Sequence, residues 1–464
     1  MLADILKESK VAARYITYLV FIIALTAMFF FQYRVDVNYD LKHAQMGILF
    51  EESRWGGTQN NLLVQPLPDA RSYGSMDAEV PEQVMQNVTY RLFRDISNNR
   101  FDTYLFGAIE THKRLDYEER QRVYNIFEKI TGQTVYQVDA AFHEMDLAKI
   151  VETKGLSVKQ AKEFLKNDYY KKLAKEFTPN QTITLLYNYE KYMPIREDLS
   201  YEEFKDLIHE TKSIIGRKTA DYEELSRYGS IPLTYEHAEA NHEAFVTEDG
   251  VSGAYARLFC DYMGILAGIL PAFIAVEAAL GGLKRKKNTK IVRSVYEPKT
   301  TQIWVRFISI TALTFIPIII FSLAATYELA VGVKPLGLTI DYFAFLKYSV
   351  VWLLPTVMFA AAVGLFFAVF TRRPIGILVQ SLFWIWSVMF WGQNGLASIK
   401  YGANMFLRHN VVGEYQTYLA SLYEILLNRA AYTILAIAMI TIAWYIQKNS
   451  IHFEEKPRSK SLLY

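Results

Sequence analysis

The chain has 464 residues, of which 52% are apolar, 15% aromatic and only 21% charged, with a formal net charge of +2. That balance excludes a strongly basic nucleic-acid binder, and the single cysteine, Cys260, excludes an intramolecular disulfide framework and a cysteine-based zinc site. A mean hydropathy of +0.06 results when strongly apolar segments are averaged with a polar domain, so the distribution along the chain decides the class.

Residues 1–14 place Leu2, Ile5, Leu6 and Ala13 on a stripe opposite Lys7, Lys10 and Arg14, which predicts a cytoplasmic amphipathic elbow helix lying in a membrane interface. Residues 15–33 carry no ionisable charge at physiological pH and are about as long as the roughly 20-residue helix that crosses a bilayer. No small-residue cleavage site follows Phe29, Phe30 and Phe31, so this run is expected to persist as a helix and not to be removed as a signal peptide.

Residues 34–257 are long enough for a domain of their own and read as mainly helical. Within 81–106, Val84, Val88, Leu92 and Ile96 recur at four-residue steps. Ser157 opens a helix carrying Ala161, Phe164 and Leu165, and Ser200 with Glu203 makes a capping box ahead of Phe204, Leu207 and Ile208. Residues 56–76, with Pro66, Pro68 and Gly74, read as loop. Residues 235–243 read as a solvated helix; His237 and His242, five apart, fall on different faces, which argues against a shared metal.

Five further apolar runs follow. Residues 258–283 are interrupted only near their ends by Asp261 and Glu277 and contain Pro271, whereas 307–327, 348–371, 374–399 and 430–447 carry no charge. Basic residues, which are retained on the cytoplasmic side, cluster before the first run (Lys7, Lys10, Arg14), after the second (Lys284 through Arg293) and between the fourth and fifth (Arg372, Arg373). The expected architecture is an all-α membrane protein of six transmembrane helices. It has a mostly helical extracytoplasmic domain at 34–257 between helices 1 and 2, both termini cytoplasmic, and a cytoplasmic tail at 448–464. No GxxxxGK[ST], GxSxG or HExxH motif occurs, so no catalytic, cofactor-binding or metal residue is assigned. Charge-free run centres also argue against a small-ion pump.

The cytoplasmic segment 281–303 joins the second and third runs. It follows Glu277, begins with Gly281-Gly282, carries basic residues up to Arg293 and then reaches Pro298 and Thr300. Here the sequence resembles the permease subunits of type-2 ABC exporters. In that family a glutamate near the inner end of span two precedes a small-residue turn, a short helix, a Pro-containing turn and a polar start to span three. The usual small Thr or Ser after the glycine is absent here. Residues 362–374 look like the tight hairpin between spans four and five of the same family, two uncharged helices joined by a basic turn and therefore antiparallel. Asn428-Arg429 opens the last helix, and 406–427 read as a short re-entrant or interfacial helix. The large external domain departs from the family pattern.

The resemblance implies a half-transporter in the plasma membrane, a homodimer or a heterodimer with a second permease, embedded in the lipid bilayer. An ABC ATPase subunit would dock on the cytoplasmic loops, with Glu277, Gly281, Gly282, Arg293, Pro298 and Thr300 coupling to it. The chain itself would not be an enzyme, since ATP and Mg belong to the partner subunit. The implied cargo is amphipathic: a lipid, a peptide or a hydrophobic compound. Two other classes stay open, a sensor or mechanotransmission protein whose external domain signals, and an intramembrane enzyme, which would need paired polar residues at mid-membrane depth.

Overall fold

Apolar stretches of this length can satisfy their backbone polar groups without water only as helix, and the computed structural model is mostly helical. It describes residues 1–48, 50–52, 58–70, 72–105, 109–155, 157–160, 189–217, 219, 221–288, 302–390, 404–409, 412–413 and 415–454. Among the described residues five helices are long and apolar enough to cross a membrane: Ile16–Gln45, Val251–Gly281, Gln302–Leu336, Ala344–Thr371 and Leu422–Lys448, here called the first to fifth long helices. They mark the chain as a multi-pass membrane protein. The run at 374–399 is described only as a shorter apolar helix, Ile375–Val388, and residues 391–403 lie outside the described ones.

The chain divides into two compact units, Met1–Gly74 with Thr234–Tyr464, and Ser75–Leu233. All five long helices belong to the first. Several outlast the apolar runs that signalled them. The first continues through a π-turn at Phe29–Tyr33 into the charged stretch Arg34–Gln45, because the polar residues there have partners: Tyr262 donates to Asp36, and Tyr255 donates to Asp40 at 3.0 Å. Its apolar side packs Phe29 against Phe321 (4.9 Å between ring centroids) and Tyr33 against Phe259 (5.4 Å). Cys260 is fully buried in the same core.

The second long helix is broken. Val251–Ala267 ends at Gly268, and Leu270–Asn288 restarts with Pro271 in its first turn, where a missing N–H costs nothing. The fourth ends at Thr371, and Arg372 turns the chain in the left-handed region (φ 56°) into Ile375–Ile385. The two helices fold back on each other, with Gly376 seated against Gly364. Gly364 itself touches the second helix so closely that a Cβ there would lie 2.5 Å from the Ala272 carbonyl oxygen.

In the second unit, Pro81–Asn98 buries Val84, Val88, Leu92 and Ile96 completely, as the four-residue steps predict. The helix stops earlier than the 81–106 reading. Asn99 adopts the left-handed conformation (φ 45°), and Phe101–Leu105 pairs antiparallel with Ile109–Lys113. Aromatic and β-branched residues alternating with polar ones suit a half-buried strand better than a helix face, and Phe101 and Thr103 are its buried side. Capping boxes at Asp116/Glu119 and Thr134/Gln137 open Tyr117–Thr131 and Val135–Lys154. At Tyr201–Ile215 only half of the expected box forms: Ser200 accepts from the Glu203 N–H at 3.2 Å, while the Glu203 carboxylate pairs with Arg196 at 3.0 Å. Ser157 bonds to Gln160, but Ala161, Phe164 and Leu165 lie outside the described residues. Part of the 56–76 loop reading is overturned, since Thr58–Asn60 pairs with Phe50–Glu52 in the first unit, and Ser75–Asp77 pairs with Ser230–Pro232 in the second. The second pairing ties the two ends of the unit together.

Around Arg91 three carboxylates converge: Asp95 at 3.4 Å, Asp102 at 2.8 Å and Asp221 at 2.8 Å. Burial pushes the Asp95 carboxyl up to about 7 from an ordinary 3.8, against the pull of the Arg91 guanidinium and of the Tyr222 hydroxyl, which donates at 2.7 Å. The folded state therefore holds a proton that the unfolded chain releases between those values. The stability from Asp95 is complete below 3.8 and is lost as pH rises through about 7. A fragment spanning Ser75–Leu233 is expected to melt cooperatively, at higher temperature at pH 5 than at pH 8, and Asp95→Asn is expected to flatten that dependence. In the same fragment Leu92→Ala is expected to cost about 2–5 kcal/mol by chemical denaturation, the range for emptying a fully buried leucine site. In the whole chain Gly364→Ala is expected to cost about 1–3 kcal/mol, read as a lower thermal midpoint, because the added methyl meets backbone.

Candidate functional site

Of the residues signalled by sequence as the coupling site, Glu277, Gly281 and Gly282 are described, all on the helix Leu270–Asn288. Glu277 is half-buried on Leu270–Asn288, and its Oε2 accepts a hydrogen bond from Thr17 Oγ1 at 2.6 Å. Thr17 is in the first turn of the first long helix, so the acid is engaged by that helix and not by the amphipathic one before it. One turn further, Gly281 faces Tyr15, whose hydroxyl oxygen would lie 3.5 Å from a Cβ at that position. The turn expected at Gly281-Gly282 does not form; the helix runs through both glycines to Asn288. An interior glycine costs a helix only about 1 kcal/mol, which flanking leucine, lysine and arginine residues offset. Arg293, Pro298 and Thr300 lie outside the described residues.

The N-terminal helix, Leu2–Ala12, docks on the start of the third long helix. Ser309 Oγ donates to the Ile5 carbonyl at 3.0 Å, and Glu8 lies 3.7 Å from Arg306. Leu2 and Leu6, from the predicted apolar stripe, remain exposed, while Ala12 is buried.

A second polar constellation was not legible in the sequence. Residues 404–409 run through the bundle without helix, yet Met405, Phe406 and Leu407 are fully buried. Their carbonyls need donors, and side chains supply them. Arg429 gives Nη1 to Trp352 O (2.9 Å) and Thr356 Oγ1 (2.8 Å), Nη2 to Asn404 O (3.1 Å) and Met405 O (2.9 Å), and Nε to Asn428 Oδ1 (2.9 Å). Trp352 Nε1 donates to Leu407 O at 3.2 Å. The break in the second long helix is served in the same way: Gln380 Nε2 donates to Gly268 O at 2.6 Å and Trp384 Nε1 to Ile265 O at 2.7 Å.

Four expectations change here. Asn428-Arg429 does not open the last helix; it lies in the second turn of Leu422–Glu454. Of the segment 406–427, residues 406–409 are buried chain without helix, and Tyr415–Ala420 is a short helix ahead of the start of the last one. Asp261 is not near a helix end, because the second long helix begins at Val251; it is buried and accepts from the His409 N–H at 2.5 Å. Arg257, read as the last residue of the external domain, is fully buried in the same helix. It is paired through both guanidinium nitrogens with Asp249 (2.7 and 2.5 Å), under the rings of Tyr348, Tyr415 and Tyr418. The one available signal was a single charge abutting each apolar run.

The arrangement braces broken backbone. Among the described residues no group of three His, Cys, Asp or Glu is placed to hold a metal, and His242 instead bonds the Leu62 carbonyl at 2.8 Å. No family model, no curated protein and no solved structure matches this chain.

Replacing Arg429 by methionine strands several buried neutral acceptors, each of which costs about 1–3 kcal/mol when left without its donor. Arg429→Met is expected to lower the thermal midpoint of the purified protein sharply, followed by tryptophan fluorescence. Arg429→Lys is expected to recover little, because an ammonium cannot span the fork of acceptors.

Proposed function

We propose that the chain is the permease subunit of an ATP-driven ABC exporter that moves an amphipathic cargo outward across the plasma membrane. In this reading residues 374–399 complete a sixth crossing, both termini are cytoplasmic, and the unit Ser75–Leu233 lies outside, handling cargo or a partner. A separate ATPase subunit binds ATP and Mg and docks at 281–303, and the permease works as a homodimer or heterodimer.

The observation that carries the proposal is the convergence at the foot of the first unit. The Thr17–Glu277 hydrogen bond ties the helix leading into 281–303 to the first long helix, and the N-terminal helix clamps the start of the helix leaving it. A force applied to 281–303 would then reach the first, second and third long helices together, which is what a rocking transition between two packings requires. Exposed Leu2 and Leu6 on the N-terminal helix suit an interfacial position beside that foot.

An ATPase subunit is expected to copurify with the chain from native membranes. Glu277→Ala and Thr17→Val are each expected to leave insertion intact and to lower cargo-stimulated ATP turnover on the order of tenfold, within the usual range of coupling energies. Glu277→Gln, which still accepts from Thr17, is expected to fall less. Purification without any ATPase, or unchanged coupling in both variants, would remove the assignment.

A further inference from the structure

Where the charged continuation of the first long helix meets the end of the third, the first unit has an open pocket of about 350 Å³. Arg34, Asn38 and Lys42 line it from Arg34–Gln45, and Tyr327, Glu328 and Val331 from the facing helix. Side chains of the first helix reach the backbone of the facing one here: Gln45 Nε2 donates to Gly332 O at 3.0 Å, and a Cβ on Gly332 would lie 2.4 Å from the Leu41 side chain.

Charge and apolar surface are arranged unequally here. Among the described residues Glu328 is the single carboxylate lining the pocket and is paired with Arg34 Nε at 3.0 Å, so within that lining the Lys42 ammonium is in excess. Asp36 and Asp40 of the same helix are turned to its other side, where the Tyr262 and Tyr255 hydroxyls hold them. From Val331 and Tyr327 in the pocket lining, the third long helix exposes a continuous stripe through Leu323, Ile320 and Ile316, in steps of three and four. At 1.5 Å per residue the part of the stripe beyond the pocket lining, Ile316 to Leu323, is about 10 Å long, which fits within the roughly 15 Å depth of one hydrocarbon leaflet. The polar pocket thus caps an apolar track at the level where the uncharged run of the first helix ends, beside exposed Phe30 and Phe31.

We propose that this pocket binds the headgroup phosphate of an anionic phospholipid, with Lys42 and the free guanidinium nitrogens of Arg34 as donors and an acyl chain along the 316–331 stripe. A zwitterionic lipid brings its own cation toward Arg34 and Lys42, so charge complementarity selects the anionic headgroup. The site stands on the membrane-spanning helices alone and does not depend on the transport reading.

The test is native mass spectrometry of the full chain with phosphatidylglycerol and phosphatidylcholine of matched acyl chains. Wild type is expected to retain phosphatidylglycerol preferentially. Lys42→Gln is expected to cut that retention about fivefold, the factor one basic residue contributes at a membrane surface. Lys334→Gln, which removes an equal exposed charge outside the pocket lining, is expected to leave retention unchanged, and both variants are expected to keep the wild-type elution volume and melting curve. Equal retention of the two lipids, equal loss in both variants, or no retained lipid would overturn the proposal. So would displacement by inorganic phosphate alone, which would mark a site for the free ion.

Discussion

Arg429 lies buried in the fifth long helix with its guanidinium spread over the carbonyls of Trp352, Asn404 and Met405, and the packing of the first unit is arranged around that contact. The physical demand behind it is general. A backbone carbonyl freed inside an apolar bundle costs several kcal/mol unless a donor reaches it, so extended chain at that depth persists only where protein covers it. Residues 404–409 meet the demand with Arg429, Trp352 and Thr356, and the break after Gly268 meets it with Gln380 and Trp384. Each donor lies on a helix and its acceptor on another helix or on residues 404–409, so the same bonds that satisfy the backbone also fix the fourth and fifth long helices to each other and to that segment, and the short apolar helix to the second. Close approaches at Gly268 and Gly364 complete the arrangement, since a side chain at either would collide with Phe406 or with the Ala272 carbonyl.

What the sequence revealed depended on whether a residue's role is written in a local period. Val84, Val88, Leu92 and Ile96 repeat with the helix and are buried as that period requires. Long uncharged runs likewise announced most of the apolar helices. The boundaries failed for a consistent reason: charge was read as the end of a helix, whereas here charged residues continue it by finding partners. Asp36 and Asp40 carry the first long helix beyond residue 33, and Arg257 and Asp261 lie inside the second and not at its edge. Strand Phe101–Leu105 was hidden because its signal competes with the strong helix just before it, and only the left-handed turn at Asn99 separates them.

The candidate coupling residues were legible in part. Glu277 drew notice as an acid at the end of an apolar run, and its partner Thr17, 260 residues away in sequence, could be identified only from the fold. Its bond gives the acid a definite mechanical place, between the helix that leads into 281–303 and the first long helix. Pro298, Thr300 and Arg293 rest on the resemblance alone. The functional reading therefore joins two kinds of support, a family likeness in short motifs and a structural convergence at the foot of the bundle, while the unit Ser75–Leu233 has its own core and closes its own ends.

The central claim is that this unit and the segment after Glu277 lie on opposite sides of one membrane. Side-specific labelling tests it most directly, using single cysteines at Ser213, an exposed position of the unit, and at Asn288 and Ser9, each in a Cys260→Ala background. In intact cells an impermeant thiol reagent is predicted to modify position 213 and to leave 288 and 9 unmodified until the membrane is opened. Modification of position 288 from outside, or protection of position 213, would contradict the arrangement.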